Sequence, residues 1–167
     1  MKTIGLIAGV SWESSVDYYR ILNEEVSRRL GGLHSAKIAM YSVDFEEVGG
    51  AFTAGRRDEA EAKIVEAGHS IKNGGADFFI ICSNTMGMFT SEVEHATGMK
   101  GIFIADAVGK AVKEKGMQKL ALLGTRFTME EDFYREAPVR NYGLEPLIPD
   151  EEDRTIVDDI IWKELCF

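Results

Sequence analysis

The stretch FFIICSNTMG, residues 78–87, runs four apolar residues into a thiol, Cys82, and then into Ser83, Asn84 and Thr85. A short continuous apolar run is the pattern of a strand buried on both faces, as in parallel sheets covered by helices. The polar residues stand where that strand must end. In open parallel sheets, ligands bind beyond the carboxyl ends of the strands. The same few residues therefore suggest both a fold class and a place for chemistry.

On either side, strands and helices alternate. Residues 2–8 (KTIGLIA) read as a buried strand. Ser11 reads as the N-cap of the helix that follows, with Glu13 in its first turn. Val16, Tyr19, Leu22, Val26 and Leu30 recur at helical spacing and predict the buried stripe of that helix, which Gly31 and Gly32 stop. A second strand is expected over 37–43. A second helix carries Ala60, Ile64, Ala67 and Ile71 on one face and ends at Asn73-Gly74-Gly75. After Thr85 come a helix, a strand at 101–105, and a helix capped by Asp106 and ending at Gly116. A strand at 119–123, a helix broken near Pro138, a strand at 144–148 and a last helix complete the order. This alternation predicts an α/β fold with parallel sheets covered on both faces.

Composition narrows the function classes. The chain has 167 residues, 45% of them hydrophobic, with a net charge of -9. That charge argues against a nucleic-acid binder, which needs a basic face. No apolar run approaches the roughly eighteen residues of a membrane span, so no membrane partner is expected. Two isolated cysteines, Cys82 and Cys166, suggest a reducing compartment and a cytoplasmic location. His34, His69 and His95 stand in no metal-binding spacing, so no metal is expected.

The chain repeats itself. IAGVSWESSVDYYR (7–20) aligns with LLGTRFTMEEDFYR (122–135), so that Gly9 meets Gly124, Asp17 meets Asp132, Tyr19 meets Tyr134 and Arg20 meets Arg135. This predicts two related α/β halves, residues 1–115 and 116–167. The counterpart of the Cys82 strand would fall beyond Phe167, so the second half is expected to be incomplete.

IGLIAGVSWESSVDYYR, GGLHSAKIAMYSVDFEE, CSNTMG and LLGTRFTMEEDFYR together resemble the aspartate/glutamate racemase family, amino-acid racemases that work without pyridoxal phosphate. The resemblance implies two pseudo-symmetric, three-layer, flavodoxin-like domains facing each other across the substrate. It implies a cysteine from each domain acting on opposite faces of the α-carbon, with Cys82 as the first of them. Asn84 and Thr85 match carboxylate-binding positions, and Thr125 matches their counterpart in the second domain. Ser11 and Thr128 join the candidate substrate-binding set. The family's second cysteine, in a Gly-Cys-Thr-Glu setting, is absent from these residues, and Gly87 stands where close relatives often have histidine.

The chemistry expected of such a site is proton transfer. One group removes the α-proton, and another returns it on the opposite face. A helix N-terminus after Thr85 would lower the Cys82 pKa, and its free N–H groups would hold the substrate carboxylate. Neither a metal nor an organic cofactor is called for. The expected ligand is a small amino acid or dicarboxylate. A one-cysteine carbon-acid enzyme, such as a decarboxylase or isomerase, and a carboxylate-binding relative or fragment are the alternatives. Trp12 reads as packing, Arg56 and Arg57 as a solvated helix end, and Cys166 as incidental. In the last helix Ile156, Ile160 and Leu165 lie near one face, an apolar stripe that predicts a homo-oligomer, most simply a dimer.

Overall fold

Gly5, Leu6, Ile7 and Ala8 are all buried, so the strand they form, β1 (Ile4–Ala8), lies inside its sheet and not at an edge. The computed structural model describes residues 1–166. In it β1 pairs in parallel with β2 (Ile38–Ser42), Ile4 opposite Ile38, and on its other side with β3 (Phe78–Ile81), Ile4 opposite Phe78. A short β4 (Lys100–Gly101) adds to β3, and the order is β2-β1-β3-β4. Gly5 allows the close approach at the centre. A Cβ there would lie 2.7 Å from Ile71 Cδ1 and 3.1 Å from the Phe78 carbonyl.

Helix α1 (Trp12–Leu30) follows β1. A π-helical turn and the short α2 (Ala51–Thr53) follow β2 and lead to α3 (Arg57–Asn73). The expected stripe of α3 is the buried one: Ala60, Ile64, Ala67 and Ile71 are all sequestered. It packs on β1 and β2 and against α4 (Thr90–Thr97), which a 3-10 turn at Met86–Phe89 separates from β3.

The stripe expected on α1 is displaced. Val16 is 55% exposed, and Tyr19 and Leu30 are also exposed. The protected side instead runs through Ser15, Tyr18, Leu22 and Val26. Hydrogen bonding orients the helix here, because Ser15 is buried with its hydroxyl accepting from the Gly9 amide at 3.0 Å.

Contacts divide the chain into two compact units, Met1–Ile102 and the segment from Phe103 onward. The sequence reading puts the division at 115/116. The helix before that point, α5 (Ile104–Glu114), packs on α7 (Asp132–Tyr142) in the second unit. The strand expected at 101–105 is cut short for the same reason. After one more ladder bond, from Ile102 N–H to the Phe79 carbonyl at 2.9 Å, Phe103 and Ile104 turn into the second unit's core with Ala105, Leu122, Tyr134 and Ala137. Asp106 does not cap α5. The N-cap is Phe103, and Asp106 accepts from Asn141 Nδ2 at 2.7 Å.

In the second unit β5 (Lys119–Ala121) pairs in parallel with β6 (Glu145–Leu147). Between them lie α6 (Arg126–Glu130) and α7, so this half repeats the strand–helix–strand order of the first. The helical break comes at Glu131, which is extended at φ -79 and ψ 142, and not at Pro138, which α7 carries inside it. A proline removes one backbone donor, and α7 tolerates that loss while Tyr134, Ala137 and Pro138 are buried along one side. Helix α8 (Glu151–Ile160) and a π-helical turn at Ile161–Leu165 follow, with Ile156, Ile160 and Leu165 exposed.

Two substitutions separate the observed packing from the expected one. Ile64→Ala should cost about 2–5 kcal/mol, the range for a buried aliphatic cut to alanine. Val16→Ala should change stability by less than about 0.5 kcal/mol, as at an exposed position. Urea unfolding checks both, and a large loss at Val16 would restore the original stripe.

Candidate functional site

The strand order puts a switch point between β1 and β3: the chain crosses from β1 to β2 on one side, and β3 lies on the other. Crevices at such points are where doubly wound sheets take ligands. The exits of both strands meet there. The Cys82 amide donates to the Ile7 carbonyl at 2.8 Å, carrying the β1–β3 pairing one residue past the end of β3. From the other exit, Gly9 turns the chain at φ +95, and a Cβ there would lie 2.3 Å from the Val43 carbonyl. Only glycine tolerates both conditions.

Ser11 occupies the N-cap position of α1, but its side chain makes no capping bond. Its carbonyl does the work instead, with the hydroxyls of Ser14 and Ser15 each 3.1 Å away. The Ser14 hydroxyl also lies 2.8 Å from the Cys82 carbonyl, so the first turn of α1 touches the end of β3 directly. Of the other candidates, Ser83 accepts from the Met86 amide at 3.3 Å, Thr85 is half-buried and Asn84 is exposed. Cys82, Ser11, Asn84 and Thr85 thus belong to one strand-end cluster in the first unit.

Thr125 and Thr128 belong to the second unit. Thr125 caps α6, accepting from the Thr128 amide at 3.3 Å, and the two hydroxyls lie 3.2 Å apart. The next backbone donor, the Arg126 amide, is held by the Asp158 carboxylate at 2.7 Å. Arg56 pairs with Glu59 at 2.9 Å, and the Arg57 guanidinium sits 5.3 Å above the Phe52 ring. Sequence reasoning passed over Ser14, and it placed Glu13 only as a first-turn acid of α1. Glu13 Oε2 is buried with no hydrogen-bond partner among the described residues. Ser14 and Ser15 follow Ser11 at three and four residues, one helical turn on, and that spacing was the available signal.

The acidity of Cys82 is not the expected one. The residue is 1% exposed, and burial pushes its thiol up to about 12 instead of down. The helix end that was to lower it is not adjacent. Three residues and a 3-10 turn intervene before α4. At neutral pH the thiol is therefore protonated, which suits a proton donor. Among the described residues no group of three or more His, Cys, Asp or Glu could hold a metal ion, and no described helix is long and apolar enough to cross a membrane.

The Asp/Glu/Hydantoin racemase family model matches residues 7–164. The chain belongs to that family. A candidate Asp/Glu racemase from Yersinia pestis is 44% identical, with a TM-score of 0.92, over 99% of this chain and 72% of that one. An aspartate racemase homologue from Pyrococcus horikoshii OT3 is 28% identical, with a TM-score of 0.81, over the same shares, 99% and 72%. The aspartate racemase of Picrophilus torridus shares the fold at 18% identity and a TM-score of 0.73, over 97% of this chain and 74% of that one. The racemase fold expected from the motifs is therefore present, and the family supports racemase-type activity on amino acids.

Iodoacetamide reacts with the thiolate, so its rate at Cys82 should rise about tenfold per pH unit from pH 7 to 10 without levelling off. Peptide mapping of the labelled residue provides the measurement. A plateau near pH 8.5 would show that the thiol is hydrated in solution.

Proposed function

We propose that the chain takes an amino acid bearing a second carboxylate, aspartate or glutamate, and exchanges its α-proton through the Cys82 thiol without a cofactor. The observation that carries this reading is the position of Cys82. It is a buried thiol at the β3 exit, beside the β1/β3 switch point, in a fold shared with a 44% identical candidate Asp/Glu racemase. A protonated thiol can deliver a proton to a planar carbanion. Removing one requires the thiolate, which burial disfavours until a bound substrate changes the surroundings.

Asn84 and Thr85 are the proposed grip on the α-carboxylate. They lie two and three residues beyond the thiol, and the exposed Asn84 amide is open to a ligand. Neutralising that carboxylate makes the α-proton more acidic, because the developing enolate charge no longer adds to a full negative charge. Ser11, Thr125 and Thr128 are retained as the remaining substrate-binding residues of this proposal. The exposed stripe of Ile156, Ile160 and Leu165 supports association of two copies as part of the same proposal.

Proton NMR of each enantiomer of aspartate and glutamate in D₂O tests the reading. Loss of the α-proton signal from at least one enantiomer is expected, rising with pH, and Cys82→Ala should reduce the rate by a hundredfold or more. No exchange from any of the four would overturn it, and exchange from a hydantoin alone would move the substrate class.

A further inference from the structure

Ser14 holds none of the roles assigned above, yet it is the residue that joins the first turn of α1 to the end of β3. Its hydroxyl stands within reach of two carbonyls, Cys82 at 2.8 Å and Ser11 at 3.1 Å. A serine hydroxyl has one proton and can satisfy only one of them at a time. The neighbouring Ser15 decides the matter. Its own hydroxyl lies 3.1 Å from the Ser11 carbonyl and accepts from the Gly9 amide at 3.0 Å. If the Ser15 proton serves Ser11, the Ser14 proton is left for Cys82, the shorter of its two contacts. Each of the two hydroxyl protons then has a carbonyl of its own.

Two adjacent hydroxyls thus divide the work. Ser15 fastens the β1–α1 loop, and Ser14 reaches across to the other strand. Cys82 is consequently held by its backbone on both sides, its N–H on the Ile7 carbonyl and its carbonyl under Ser14. Rotation about the Cα–Cβ bond then places the sulfur, and rotation about the Cβ–Sγ bond aims its proton.

We propose that Ser14 is a positioning residue for Cys82, closing the β3 exit onto the first turn of α1 and keeping the thiol in its shielded place. The inference rests on Cys82 as the reactive group, but its test does not require a substrate. Ser14→Thr keeps the hydroxyl, and Ser14→Val has nearly the same shape without it, so the pair isolates the hydrogen bond even if Ser14→Ala perturbs the helix. The probe is iodoacetamide on the intact protein, with rates at Cys82 and Cys166 followed by peptide mapping from pH 7 to 10.

Ser14→Thr should label at the wild-type rate. Ser14→Val and Ser14→Ala should label Cys82 about fivefold faster or more, the factor expected from one lost hydrogen bond. Their rise with pH should level off earlier, and Cys166 should be unaffected. Equal rates and pH profiles for Thr and Val at this position would overturn the proposal. So would an increase shared by both thiols, which marks general loosening. Faster labelling without any α-proton exchange in D₂O would keep the role of Ser14 and reject the reaction. Exchange with unchanged labelling would do the reverse.

Discussion

The hydrogen bond from the Cys82 amide to the Ile7 carbonyl is the contact on which the rest of the first unit depends. It belongs to neither strand as such, since β3 ends at Ile81, but it continues the β1–β3 pairing to the residue that carries the thiol. Because β1 is buried on both sides and paired on both edges, it has little freedom. Cys82 inherits that rigidity. The exits of β1 and β3 then have to be reconciled within a few ångströms. A glycine that no other residue can replace and a pair of serine hydroxyls accomplish this.

Two effects compete over the acidity of Cys82, and their sizes decide between them. A helix end stabilises a neighbouring anion by at most about 2 kcal/mol, and the effect fades within a turn. Burial raises this thiol from 9.0 to about 12, which corresponds to roughly 4 kcal/mol in favour of the neutral form. The α4 end, separated from Cys82 by three residues and a 3-10 turn, is too distant to offset it. The motif CSNT shows where a thiol lies along the chain but not how much water reaches it. Exposure is set by tertiary packing, in which Cys82 is bonded to Ile7, seventy-five residues away in sequence.

The same distinction explains what could be read from the chain. The α3 stripe was legible because Ala60, Ile64, Ala67 and Ile71 form the longest apolar row on the helix. The α1 stripe was not, because apolar side chains lie on more than one side of it and a buried serine chose between them. Hydrophobic periodicity registers no value for a hydroxyl with two good partners. The β3 strand and the site at its end were visible in a single decapeptide stretch. The strand after α4 was misjudged in length because Phe103 and Ile104 are as apolar as strand residues, and their destination, the second unit's core, is a tertiary fact. The helix break at Glu131 left no proline or glycine to mark it.

The N-caps of α1 and α6 use their hydroxyls differently. In the first, Ser11 offers no capping side chain, and the loop is held from within by Ser15, so the Ser11 hydroxyl is not spent on the helix end. In the second, Thr125 is an ordinary cap, and an internal carboxylate, Asp158, already sits on the Arg126 amide and also accepts from Trp162 Nε1 at 3.2 Å. A ligand carboxylate approaching Thr125 therefore meets a negative charge of the protein's own, held by two donors. At the Cys82 end the hydroxyls of Ser14 and Ser15 meet backbone groups instead, and the Asn84 side chain is exposed.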